Sequence, residues 1–387
     1  MDFIPYSCQT IEDEDLAAVA AQLRSEYLTQ GPVGLQFEAE FARRHEVAHA
    51  ISVSNATAGL HIACLALGLG PGDIAWTSPN SFLASANCVL YCGASIDFVD
   101  IDPATRNMSV PALAARLEQA EAAGKLPKIV IPVDFAGLPC DLKEMRALAD
   151  RYGFAILEDA SHATGASYLG RPTGSQWADA TVFSFHAVKI VTTAEGGMVT
   201  TQDDALAARL RSLRSHGMTR DPALLERAPD GPWYYEQHDL GYNYRLTDMQ
   251  AALGLSQLQR LDAMQARRVA LADAYDALFA DLPVKLPHRS PDRQSAWHLY
   301  AIEIDKSRTS ADRRAVFEAL RRANIGVNVH YIPIHTQPYY ERLGFGRQDF
   351  PAAVAYYEQA ISLPLFPRMT QDQQAHVAQT LRAALDV

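Results

Sequence analysis

Short apolar runs alternate with amphipathic stretches through the first half of the chain. Ala48 to Val53, Asp73 to Thr77, Ser95 to Val99, Lys128 to Val133, Phe154 to Leu157 and Ala180 to Ser184 read as strands. Between them, Thr57 to Leu67, Ser81 to Tyr91, Pro111 to Ala122 and Leu142 to Tyr152 carry apolar residues at helical spacing. This alternation predicts an α/β fold: a mainly parallel sheet sandwiched by helices, with right-handed crossovers and ligands at the carboxyl ends of the strands. After Gly241-Tyr242-Asn243-Tyr244-Arg245 the texture changes. One long helical pattern runs from Asp248 to Phe279. Strands are expected at His298 to Ile304 and Val327 to Tyr331 around a helix at Ala311 to Ala323, and Asp372 to Leu385 reads as a last helix. The change divides the chain into a large domain, 1–250, and a bridging helix with a smaller C-terminal α/β domain, 251–387.

Composition narrows the class. A length of 387 residues suits two domains, and 48% hydrophobic residues can fill two cores. A formal net charge of -11 argues against nucleic acid and anionic membrane surfaces as partners, while leaving room for a small anion held by local dipoles. The start, Met1-Asp2-Phe3-Ile4-Pro5, has no basic region or apolar core of a signal peptide, and no apolar run approaches ~18 residues. A soluble, cytoplasmic protein is therefore expected. Five cysteines without regular spacing suggest free thiols in a reducing compartment. Cys88 and Cys92 lie four apart on a predicted helix, but no second pair completes a metal site, so no metal is expected. No Gly-rich dinucleotide fingerprint follows the first strand.

Three segments carry candidate chemistry. Ser184-Phe185-His186-Ala187-Val188-Lys189 follows an apolar strand and leads to Thr192-Thr193-Ala194-Glu195-Gly196-Gly197. A lysine so placed, among small residues that let backbone approach a ligand, could form a Schiff base if desolvation keeps its amine partly unprotonated; the alternative is an exposed loop lysine. Phe154-Ala155-Ile156-Leu157-Glu158-Asp159 is an apolar strand ending in two acids, of which alternation allows only one to face a cleft. That carboxylate could pair with a protonated pyridine nitrogen, and His162 could reach the same ligand, although a helix cap and a core histidine are equally ordinary uses. Val53-Ser54-Asn55-Ala56-Thr57-Ala58 runs from strand into helix through small residues, which suits either an anion site or plain N-capping.

Taken with Gly241-Tyr242-Asn243-Tyr244-Arg245-Leu246, these segments resemble the nucleotide-sugar aminotransferases of the DegT-like family, a branch of the aspartate-aminotransferase fold type. The resemblance runs from about Tyr6 to the final helix. Within the family, Tyr27-Leu28-Thr29-Gln30-Gly31-Pro32, Arg214-Ser215-His216-Gly217-Met218 and Val329 to Tyr340 are most similar to the enzymes that aminate a UDP-linked 4-keto-6-deoxy-N-acetylhexosamine on the way to pseudaminic acid. The resemblance implies a large domain that binds pyridoxal 5'-phosphate (PLP), glutamate as amino donor and ping-pong kinetics. It implies that Lys189 attaches the cofactor and shuttles the proton, that Asp159 holds the pyridinium nitrogen, and that His162 lies near the phenolic oxygen. Phe82 would stack on the ring, and Ala56, Thr57 and Ser184 would bind the phosphate. Asn243 would reach that phosphate from a second subunit, making a homodimer with shared active sites. Tyr6, Thr29, Asn55, His330 and Tyr331 would line the sugar-nucleotide pocket, although strand alternation would turn only one of His330 and Tyr331 inward. Two other readings of the same scaffold remain: sugar dehydratases, which have histidine in place of the lysine, and non-catalytic regulatory or sugar-binding relatives.

Overall fold

A computed structural model describes residues 2–386. Seven strands form the principal sheet: β1 (His49–Val53), β2 (Ile74–Thr77), β3 (Ser95–Phe98), β4 (Ile129–Ile131), β5 (Ala155–Asp159), β6 (Ala180–Ser184) and β7 (Gly197–Thr201). Their spatial order is β1-β7-β6-β5-β4-β2-β3, with β7 alone antiparallel to its neighbours. The mainly parallel sheet is the one expected, and β7 is the strand that the alternation did not disclose. Strands β4, β6 and β7 are buried at every residue. Burial on both faces explains their continuous apolar runs, since helices cover both sides.

The helices α1 (Asp13–Leu23), α2 (Pro32–His45), α3 (Ala56–Ala66), α4 (Ala84–Tyr91), α5 (Val110–Ala122), α6 (Leu142–Tyr152) and α7 (Asp204–Arg214) complete this layer structure. Four of them lie where apolar spacing placed them, within a few residues. Helix α6 shows the cause well: Leu142, Met145, Ala149 and Tyr152 share its buried side, and Gly153 ends it in a left-handed conformation, φ 79°.

Two expectations fail here. The single helix from Asp248 to Phe279 is two helices, α8 (Asp248–Gln259) and α9 (Leu261–Phe279). Arg260 leaves helical geometry between them (φ −107°, ψ 6°) while its guanidinium is tied to the buried Asp15 at 2.5 Å. Helix α8 packs on α1 and α2, whereas α9 supplies Leu271, Ala272, Tyr275 and Phe279 to a second core, so the two halves follow different partners. The segment from Val327 to Tyr331 is not a strand; its backbone makes one isolated bridge, from Asn328 to Ser362.

The second core surrounds a three-stranded antiparallel sheet of β8 (Val284–Lys285), β9 (Tyr300–Ile304) and β10 (Ala360–Leu363), covered by α10 (Arg313–Arg322) and the last helix, α11 (Gln371–Ala384). Ile4 is buried in this core, and its backbone bonds with Asn324 and Gly326. The chain's first residues thereby cross from the small core back to the large sheet. Among the described residues no helix is long and apolar enough to cross a membrane, and none of the five cysteines forms a disulfide.

Candidate active site

Register brings the functional segments to one end of the sheet. Gly197, the first residue of β7, faces Val53 on one side and Ser184 on the other, which sets the carboxyl ends of β1 and β6 side by side. A Cβ at Gly197 would lie 2.8 Å from the Ala56 nitrogen, so glycine is required for that approach. At this edge opens a cleft of about 960 Å³. That volume is near the upper end for small-molecule sites and exceeds the needs of a cofactor alone.

The floor is β5. Alternation sends Glu158 to the far side, fully buried, and Asp159 to the cleft. Asp159 is held twice: Ser161 N–H donates to Oδ1 at 3.1 Å and Ser85 Oγ to Oδ2 at 2.6 Å. Lys189 stands opposite, on a turn closed by its N–H to His186 O, 2.9 Å, and flanked by Ser7 Oγ donating to Val188 O at 3.3 Å. Among the described residues nothing hydrogen-bonds its Nζ. Burial pushes the amine down to about 8, against the opposing pull of the Asp159 carboxylate. The lysine is therefore desolvated and free to react, not a solvated loop lysine.

At the start of α3, Asn55 Oδ1 accepts from Ala58 N–H at 2.8 Å. Asn55 thus caps the helix, one of the two uses its segment allowed, and also lines the cleft. Among the described residues the amides of Ala56 and Thr57 have no hydrogen-bond partner, and with the hydroxyls of Thr57 and Ser184 they form a cradle suited to an anion.

The wall comes from distant segments. Tyr331 OH lies 3.1 Å from His162 Nε2, His330 Nδ1 lies 2.8 Å from Ser362 Oγ, and the rings of Tyr6 and His330 are 5.6 Å apart. His330 and Tyr331 both line the cleft, contrary to the alternation argument, because the segment carrying them is not a strand. Burial, reinforced by the charge of Lys189, lowers His162 well below the usual imidazole range and His330 to about 4, so both rings are neutral at neutral pH. Burial raises the Tyr331 hydroxyl, which keeps its proton. Phe82 is 60% exposed at the cleft and is not core.

Thr29 and Asn243 lie outside this cleft, as Asn243 should if it serves a second subunit. Thr29 is exposed and pairs with Thr247, because Asp248 binds the loop from both sides: its N–H donates to Leu28 O and its Oδ1 accepts from Gly31 N–H. Thr29 is thus no part of this chain's own pocket. Asn243 is exposed and outside the cleft, while Tyr242 and Tyr244 beside it turn inward onto His61.

Sequence reading missed Ser85 and His298. Ser85 is fully buried on α4, and a polar residue on the apolar face of a helix is the signal that could have found it. His298 lines the cleft with its ring 4.4 Å from that of His162, and its buried Nδ1 has no hydrogen-bond partner among the described residues. Nothing in its apolar surroundings along the chain distinguishes it from a core histidine. Among the described residues no cluster of three or more His, Cys, Asp or Glu could hold a metal.

Residues 9–382 match the DegT/DnrJ/EryC1/StrS aminotransferase family. The spore coat polysaccharide biosynthesis protein SpsC of Bacillus subtilis (strain 168) is 41% identical over 383 residues, which cover 98% of this chain and 96% of that protein. Helicobacter pylori PseC, an aminotransferase involved in the biosynthesis of pseudaminic acid, has the same fold with a TM-score of 0.90 at 30% identity, covering 100% of both chains. The PLP form of Spr1654 from Streptococcus pneumoniae gives a TM-score of 0.88 at 29% identity over 99% of each chain.

Proposed function

We propose that this chain, which belongs to the DegT/DnrJ/EryC1/StrS aminotransferase family, transfers the amino group of glutamate to a nucleotide-linked 4-keto-6-deoxy sugar. It is a PLP-dependent sugar aminotransferase by that membership. The acceptor in our reading is a UDP-4-keto-6-deoxy-N-acetylhexosamine of the pseudaminic acid type, made for a surface glycan. The likeness to PseC and SpsC supports this choice, as does a cleft with space beyond the cofactor. One observation carries the reading: a lysine amine with a lowered pKa, which nothing among the described residues hydrogen-bonds, stands in the same cleft as a carboxylate fixed by two donors.

The residues fit PLP. Lys189 would hold it covalently, Asp159 would face the ring nitrogen, and Phe82 would cover one face of the ring. Ala56 and Thr57 amides with the Thr57 and Ser184 hydroxyls would receive the phosphate. Bound there, PLP supplies an electron sink that spreads the charge left on a substrate carbon when its proton is removed. The protein supplies the rest. Lys189 Nζ, desolvated and therefore basic only near neutrality, takes or returns the proton at the reacting carbon of the substrate. The two hydrogen bonds to Asp159 fix the direction of its carboxylate, which would accept a hydrogen bond from a protonated ring nitrogen placed before it. His162, neutral and bonded to Tyr331, ties the floor to the wall where Tyr6 and His330 would meet the sugar. Two copies would form a homodimer in which the exposed Asn243 of one chain completes the phosphate site of the other.

The test is an absorbance spectrum of the PLP-loaded protein before and after glutamate, followed by mass analysis with UDP-, GDP- and dTDP-linked keto sugars. The expected result is a visible band that bleaches with glutamate, is lost in Lys189→Ala, and yields an amino sugar from the UDP substrate. A protein that stays colourless after PLP is supplied refutes the proposal, and turnover of a GDP or dTDP sugar alone corrects the acceptor.

A further inference from the structure

Behind the cleft floor lies a pair of acids that the reaction as described does not use. Glu158 and Asp134 are each 0% exposed. Thr181 Oγ1 donates to Glu158 Oε2 at 2.7 Å, and Cys140 N–H donates to Asp134 Oδ1 at 2.9 Å. Among the described residues the remaining oxygens, Glu158 Oε1 and Asp134 Oδ2, have no geometric hydrogen-bond partner, while the Cys140 thiol interacts with Asp134 and the two carboxyl groups face each other. The other groups facing the pair are Asp159 from β5, Thr181 from β6 and the Cys140 thiol from the loop after β4; the one with a formal charge is another acid. Neither acid forms an ion pair among the described residues.

Two buried carboxyl groups facing each other, with no basic side chain paired to either among the described residues, cannot both ionise. Burial raises both acids; the negative charge of Asp134 raises Glu158 further, while the hydrogen bond that a protonated Glu158 gives Asp134 works the other way and lowers Asp134, so the proton sits on Glu158. The pair is also fastened to the functional carboxylate. Asp134 N–H donates to Asp159 O at 3.1 Å, and Glu158 is the preceding residue on the strand.

We propose that Asp134 and Glu158 share one proton, and that the single negative charge they keep strengthens the hold of Asp159 on a protonated ring nitrogen. They are positioning residues that act through Asp159 and touch neither cofactor nor substrate. The inference rests on the PLP reading above.

The test separates charge from shape. In Glu158→Gln or Asp134→Asn, the amide stands in for the protonated partner: it donates to the remaining carboxylate, and the pair keeps its charge of minus one. The double variant is uncharged. Its amides still pair, because the Thr181 hydroxyl can turn from donor to acceptor. The first readout is infrared absorption of the cofactor-free wild type, where a protonated carboxyl stretch is expected at neutral pH and should vanish in Glu158→Gln. The second is the pH midpoint of the visible band of the PLP-loaded proteins. Single variants should keep the wild-type midpoint within a few tenths of a unit, and the double variant should lower it by about one unit, as removal of one charge at roughly 10 Å predicts. A purely structural pair would move the singles as much as the double, and that result overturns the proposal, as does a double variant with no shift. Should the double variant not fold, absence of the protonated carboxyl in wild type overturns the proposal alone. A wild type that shows no visible band refutes the PLP reading instead, and the infrared result on cofactor-free protein remains distinct from it.

Discussion

The floor and the wall of the cleft are built by different means. The floor is the end of one sheet: Asp159, Ser184, Ala56 and Thr57 sit where β5, β6 and β1 finish, and Gly197 pairs with both Val53 and Ser184. Its positions follow from strand register, which a one-residue slip would destroy throughout. The wall is assembled from Tyr6, His298, His330 and Tyr331, segments far apart in the chain that lie outside any regular ladder. Single contacts, such as Tyr331 OH with His162 Nε2 at 3.1 Å, join it to the floor. A register-locked floor suits chemistry common to every substrate, while a wall tied by few contacts is where one sugar can be distinguished from another.

If that division holds, changes to the floor should abolish turnover and spare acceptor binding. Lys189→Ala removes the group that moves the proton, and kcat should fall by about 10²–10⁴ or more. Calorimetry on the variant should still find the acceptor nucleotide sugar bound with nearly wild-type affinity. Loss of affinity in step with turnover would mean that floor and wall are one unit.

The next effect concerns reactivity in the cofactor-free protein. Burial brings the Lys189 amine from 10.5 to about 8. A drop of about 2.5 units makes the reactive fraction at pH 7 roughly 300-fold that of an ordinary lysine. The rate of reaction with PLP should rise with pH through a midpoint near 8. In Asp159→Asn the midpoint should fall further, because the carboxylate opposes the shift. The same linkage bears on folding. Between about 8 and 10.5 the unfolded chain holds a proton that the folded one has lost, so stability rises with pH across that window. Lys189→Met should therefore stabilise the cofactor-free protein at neutral pH, by up to about 3 kcal/mol in denaturant unfolding. A midpoint near 10.5 would show that the floor does not desolvate its lysine.

The same division governs what could be read from the chain. Lys189, Asp159, Ala56, Thr57 and Ser184 are local motifs at strand ends, where a period of two and small residues announce a ligand, and the structure gathers all of them. Glu158 pointing away from the cleft follows from the same alternation. The wall is harder to read because alternation does not hold over Val327 to Tyr331, a segment whose backbone makes one isolated bridge, Asn328 to Ser362, and no ladder. The long helix after Asp248 was misread for a related reason: apolar spacing continues through Arg260, and only the tie to the distant Asp15 betrays the break. Strand β7 is masked in the sequence because its first residue, Gly197, also closes the Glu195-Gly196-Gly197 segment whose small residues read as a ligand motif, although Met198 to Thr201 is β-rich.

Ser85 tests how far the floor extends beneath its visible residues. Ser85→Ala removes the 2.6 Å hydrogen bond to Asp159 Oδ2 and leaves the bond from Ser161. A charged acceptor losing one of two donors should cost about 1.5–3 kcal/mol of its alignment. The expected reading is a kcat lowered by roughly 10- to 150-fold, with the acceptor KM unchanged. A change confined to KM would place Ser85 in substrate binding.

Tyr331→Phe makes the smallest change and decides on which side the contact between floor and wall belongs. It deletes one hydroxyl from a buried ring and leaves His162 Nε2 without its partner, next to an Nδ1 that already has none. His162 is neutral, so the loss is that of an uncharged hydrogen bond, about 0.5–1.5 kcal/mol, or a factor of about 2 to 12. If Tyr331 serves the wall, that factor appears in the KM for the acceptor sugar while the glutamate half-reaction keeps its rate, because binding lost equally from ground and transition states leaves kcat alone. If it serves the floor through His162, both half-reactions slow by the same factor and KM is unmoved. Stopped-flow bleaching with glutamate alone separates the two, since no acceptor is then present to feel the wall.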